Sequence, residues 1–152
     1  MPSRRRLRRD VVSHSPGTAS AAARQLTKHP DPGALTPLLE ALARPSLPHA
    51  TVADALVALG GAAAPALVAA LARDSVPQRA VEVLARIGPA AQPSITAGAT
   101  SRNAQIRRYC TLLVGDEERV RAALADPDCG VRWAASSNLV GRGVRFTAAE
   151  LV

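Results

Sequence analysis

Apolar residues recur along this chain at helical spacing, in short stripes that glycine and proline interrupt. Val52, Leu56 and Leu59 make one stripe, which stops at Gly60-Gly61. Val81, Leu84 and Ile87 make another, which stops at Gly88-Pro89. Spacings of three, four and seven residues place such side chains on one face of an amphipathic helix. Glycine and then proline after a stripe is a helix stop. Pro37, Pro65 and Pro93 follow at a constant interval of 28 residues. Proline suits the first helical turn, where its missing N–H would lack a partner anyway. These prolines predict helices over Pro37–Arg44, Pro65–Arg73 and Pro93–Thr100, with Thr36 as the first N-cap.

The repeating unit is therefore a first helix A, a glycine turn, a second helix B and a short break. The period continues in weaker form on both sides. Thr18–Lys28 reads as the first helix A, with His29–Gly33 as its turn. Ile106–Leu113 and Glu117–Ala125, the latter capped by Asp116, form a later pair. Val131–Leu139 is another helix A, and Thr147-Ala-Ala-Glu150 has the spacing of a capping box opening a last helix to Val152. Hairpins of this size cannot bury their stripes alone, so stacking of neighbours is required. The expectation is an all-α fold, an α-solenoid (α-α superhelix) of about five helical hairpins over residues 18–152. Residues 1–17 are expected to be a basic, flexible leader.

Composition supports the helical reading. Hydrophobic residues are 47% of the chain and aromatics only 2%, so the apolar content is mainly Ala, Leu and Val. Alanine and leucine lead the helix-propensity scale. The bias to Ala, Arg, Gly and Pro, with Lys28 the single lysine, suggests a GC-rich bacterial genome. No run approaches the length of a membrane span. The basic start continues into polar residues rather than an apolar signal segment. Cys110 and Cys129 are expected to be buried free thiols in a reducing cytoplasm.

Asp126-Pro127-Asp128-Cys129-Gly130-Val131-Arg132-Trp133-Ala134-Ala135, with Leu139, resembles the short repeats of the HEAT-like family that includes phycocyanobilin lyases. Ile106-Arg107 and Val76-Pro77 with Leu84 are weaker matches. Val131–Asn138 also resembles a variant leucine-rich repeat, another α-solenoid unit. The resemblance implies A helices on a convex side and B helices on a concave side where partners bind.

Charge divides unevenly. The formal net charge is +7. Five arginines and one acid lie in residues 1–17, and the remainder carries 14 basic and 11 acidic groups. The implied concave helices hold little positive charge. The leading expectation is thus a non-catalytic adaptor for an unknown protein partner, with Glu40, Arg44, Val68, Ser94, Thr96 and Trp133 as candidate contacts. The alternative is nucleic-acid binding through Arg4, Arg5, Arg6, Arg8, Arg9, Arg107, Arg108 and Arg132. His14, His29 and His49 lie apart from any nucleophile or carboxylate at useful spacing. Glu117 and Glu118 point to different helix faces. No catalytic, cofactor or metal constellation is expected. Leu151 and Val152, at the end of the repeats, are candidates for packing on a second copy.

Overall fold

The computed structural model describes residues 2–151 and contains α-helices and short 3-10 turns, with no strand among the described residues. The chain forms two compact units, Met1–Ala91 and Gln92–Val152.

The first unit contains α1 (Arg4–Asp10), α2 (Pro16–Lys28), α3 (Leu35–Ala43), α4 (His49–Leu59), α5 (Ala64–Ala70) and α6 (Pro77–Ile87). Helix α2 buries Ala19, Ala22, Ala23 and Leu26, a single stripe. It packs on α4, which in turn packs on α6. Helix α3 also lies against α4, and α5 against α6. Helix α4 therefore has neighbours on several sides and buries Val52, Ala53, Ala55 and Leu56. Alanine permits this close approach, while leucine supplies the buried area. Leu26, Leu38, Leu42, Leu56, Leu67, Leu71 and Leu84 are all fully buried. Each such side chain contributes roughly 1.5–3 kcal/mol of transfer free energy.

The glycine stops act through backbone conformation. Gly60 and Gly88 follow the last residues of α4 and α6 with φ of 60° and 71° and ψ of −141° and −133°. That region is open to glycine and strained for any residue with a Cβ. It turns the chain out of α4 and α6 into the 3-10 turns at Gly60–Ala62 and Gly88–Ala91.

The proline-marked starts differ in detail from expectation. Leu35 opens α3, so Thr36 lies inside the first turn and is not its cap. Pro65 and Pro93 are the second residues of α5 and α7. All three prolines still sit in a first turn, where the missing N–H costs nothing. The helices start earlier because 3-10 turns lead into them.

The second unit contains α7 (Gln92–Gly98), α8 (Ala104–Leu113), α9 (Glu117–Ala122) and α10 (Cys129–Gly141). Helix α8 packs along α10, with α7 on α8 and α9 on α10. Asn103, Asp116 and Asp128 cap α8, α9 and α10 by accepting backbone N–H groups. Asn138 Nδ2 donates to the carbonyl oxygens of Thr111, Leu112 and Val114 at 2.8–3.1 Å, closing the C-terminal end of α8 from α10. Gln92 does the same from α7, donating to Leu113 O and accepting from Gly115 N at 3.0 Å each. The capping box at Thr147 forms as a short 3-10 turn, with Glu150 Oε2 accepting from Thr147 N at 2.6 Å and Thr147 Oγ1 at 2.8 Å. Val152 and the side chain of Leu151, the proposed contacts with a second copy, lie outside the described residues.

Residues 1–17 differ most from expectation. Arg4–Asp10 is helical, with Ser3 accepting from Arg6 N at 3.3 Å as its cap. Helix α1 packs on α2 and α3, and Val11 is fully buried. Arg8 reaches across to Asp31, with Nε–Oδ2 at 2.7 Å and Nη2–Oδ1 at 2.9 Å. Pro16, not Thr18, opens α2. The stretch expected to be a leader is part of the first compact unit.

Candidate interaction surfaces

A groove of about 500 Å3 runs between α3 and α5, the helices that the sequence pattern led us to expect as B helices. Ala43, Ala66, Ala69 and Ala70 form much of its lining with Leu39 and Thr36, and Glu40 and Arg73 supply charge. Short side chains on facing helix surfaces leave this space open. Glu40 is exposed there and pairs with Arg44 Nη2 at 2.5 Å, one helical turn away. Arg44 also donates from Nη1 to Val12 O at 2.6 Å, so its guanidinium ties α3 to the segment after α1.

The expected contact residues are divided between the two units. Val68 is 9% exposed and lies in the core, so it is removed from the candidate contacts. Its helix is short and apolar nearly throughout, which makes the face of one valine hard to assign from pattern alone. Glu40 and Arg44 belong to the first unit, whereas Ser94, Thr96 and Trp133 belong to the second. Ser94 and Thr96 are half-buried on α7.

Of the arginines expected to contact nucleic acid, Arg8, Arg107 and Arg132 are engaged with acceptors in the protein, while Arg4, Arg5, Arg6, Arg9 and Arg108 are exposed. Arg8 makes the bidentate pair with Asp31, a residue only 3% exposed. The Arg8 guanidinium and the Gly33 N–H hold the Asp31 carboxyl below its usual range, against the opposing effect of burial. Arg6 and Arg9 both reach Asp10, at 3.4 and 3.3 Å. Arg107 makes a second bidentate pair, to Asp126 at 2.9 and 3.0 Å, and donates to Ser101 O at 2.9 Å. Asp126 is lowered in the same way, first by Arg107. Arg132 donates to the carbonyl oxygens of Asp126 and Pro127 at 2.8 and 3.1 Å. Arg4, Arg5 and Arg108 make no ion pair among the described residues.

An ion pair and a histidine–carboxylate contact link α4 to α6. Arg86 Nη2 lies 2.6 Å from Asp54 Oδ1, and His49 Nε2 lies 2.9 Å from Glu82 Oε2. His49 thus begins α4 rather than lying in a break. In the second unit, Arg121 pairs with Glu150 at 2.6 and 2.8 Å and with Glu117 at 2.9 Å. Arg121, with the Thr147 N–H and hydroxyl, holds the Glu150 carboxyl down to about 2.

The two thiols are unpaired and differ in setting. Cys110 is buried and pushed up to about 12 by desolvation. Cys129 is exposed, contrary to expectation, because it is the first residue of α10. Among the described residues no group of three or more His, Cys, Asp and Glu side chains is placed to hold a metal ion. Among them, too, no single helix is long and apolar enough to cross a membrane.

One feature of α10 had only a partial signal in the sequence. Trp133 is 56% exposed, and Arg108 from α8 lies over its ring at 5.5 Å from the centroid. The arginine-tryptophan pairing joins residues 25 positions apart, and helical periodicity alone does not reveal it. No protein-family model matches this sequence, and no curated protein matches it significantly.

Proposed function

We propose that the chain is a non-catalytic HEAT-like α-solenoid module that binds a protein partner along its B-helix face. The observation that carries this reading is the α3–α5 groove, with its alanine lining and the charges of Glu40 and Arg73. Such a surface offers apolar area and a few orienting charges, the usual make-up of a peptide or helix docking groove. Stacking of α2 on α4 and α4 on α6 supports the solenoid reading for the first unit, as does α8 on α10 for the second. The free thiols favour a reducing, cytoplasmic setting.

The engaged arginines weigh against a phosphate-binding surface. A nucleic-acid site needs several cations repeating along one face, and Arg8, Arg107 and Arg132 are instead spent on internal acceptors.

The test uses Ala69, exposed in the groove. Ala69→Glu adds bulk and charge there without touching the core. The intact chain and the variant are each used to capture partners from native lysate. A partner retained by the native chain and lost by A69E supports the proposal. Identical captures from both chains would refute binding through this face.

A further inference from the structure

Helix α10 turns Trp133 and Val140 to solvent, at 56% and 63% exposure, and these are the exposed large hydrophobic side chains among the described residues. They lie seven residues apart, two helical turns along one face, or roughly 10 Å. The cation beside them is held in place. The Arg108 guanidinium carbon sits 5.5 Å from the Trp133 ring centroid and 5.7 Å from that of Tyr109. Both distances are within cation–π range.

Gly130 makes this placement possible. A Cβ there would come within 3.1 Å of Arg108 Cδ and 3.0 Å of Asp128 Oδ1. The missing side chain lets Arg108 cross the start of α10 to reach the indole. Asp128 Oδ1 caps the helix by accepting from Val131 N at 3.0 Å, and no ion pair joins Asp128 to Arg108 among the described residues. The neighbouring guanidiniums are engaged: Arg107 with Asp126, Arg132 with two carbonyl oxygens, and Arg142 with Gly115 O. The face therefore presents a cation oriented by ring contacts and without an ion pair among the described residues, beside the exposed Trp133 indole, with the exposed Val140 isopropyl group two turns further along α10.

We infer that this α8–α10 face docks a protein segment carrying a carboxylate flanked by aliphatic side chains. The complementarity is specific. A planar guanidinium can donate two parallel N–H bonds to one carboxylate. Cation–π contact with two rings restrains the guanidinium in advance, which reduces the ordering cost of binding. Aliphatic groups that cover Trp133 and Val140 remove apolar area from water. A polyanion draws its affinity from many cations along one track, whereas the ring contacts here orient Arg108 alone. This surface shares no residue with the α3–α5 groove and does not depend on it.

A displayed library of random linear peptides, selected on the intact chain, tests the proposal. Enriched peptides are then synthesised with a fluorescent label and titrated by anisotropy. They are expected to carry Asp or Glu next to Leu, Ile, Val or Met. Because Trp133 is the single tryptophan, its emission should shift when unlabelled peptide binds. Arg108→Gln and Trp133→Ala should each weaken binding about thirtyfold, the scale of a hot-spot truncation. Both side chains are exposed, so circular dichroism should remain native. R108K, which keeps charge but loses the planar fork, should fall between. A69E should leave this binding unchanged, which separates this result from the groove test. The inference is overturned if no peptide is enriched, if enriched peptides lack an acid, or if R108Q and W133A bind as well as the native chain. It is also overturned if a duplex oligonucleotide binds more tightly with steep salt dependence. Self-association that W133A abolishes would instead make a second copy the occupant, and would overturn it too.

Discussion

Cys110 and Cys129 are the same residue type in opposite environments, and that contrast gives a simple residue-scale test. The thiolate is the reactive form. Burial pushes Cys110 up to about 12, whereas Cys129 is open to solvent at the start of α10. Iodoacetamide at neutral pH should label Cys129 alone in the native protein, and both residues in denaturant. Mass spectrometry reads the difference, and native labelling of Cys110 would contradict its placement. Glu150 gives a second test. Its carboxyl is lowered from 4.5 to about 2 by Arg121 and Thr147. A lowered carboxyl adds stability that is complete above its unfolded value and is lost as pH falls through the folded one. The Thr147 amide shift should therefore titrate near pH 2. A midpoint near 4.5 would show that the Arg121–Glu150 pair is not formed.

At the scale of elements, what the sequence made legible was the punctuation. The 28-residue proline spacing located the starts of α3, α5 and α7 within two residues. Gly60 and Gly88 marked true stops because their backbone conformation excludes other residues. Gly88→Ala should cost roughly 1–3 kcal/mol for a non-glycine residue in that region. Chemical denaturation checks it, and an unchanged midpoint would mean that the turn relaxes at no cost. Other features were not legible for physical reasons. Helix α1 reads Arg-Arg-Arg-Leu-Arg-Arg-Asp, which has no apolar stripe. It is secured by Arg8–Asp31, a pairing across 23 residues that periodicity does not encode. Val68 was assigned to a surface because a short alanine-rich helix shows no clear polar face, yet it is buried. Trp133 was expected as a candidate contact, but Arg108 over its ring comes from α8, 25 residues earlier in the chain.

At the scale of the whole molecule, the arginines change what the net charge implies. A chain of +7 suggests a polyanion partner. Several of its guanidiniums instead hold helices together, through Asp31, Asp126, Glu150 and backbone carbonyl oxygens. The proposed function places a protein partner in the alanine-lined α3–α5 groove. A photo-crosslinking amino acid placed at position 69, in that groove, tests this claim most directly. The same amino acid at exposed His14, outside it, serves as control. After illumination in native lysate, the account predicts a discrete crosslinked adduct from position 69 and none of that mass from position 14. No adduct from position 69, or the same adduct from both positions, would contradict it.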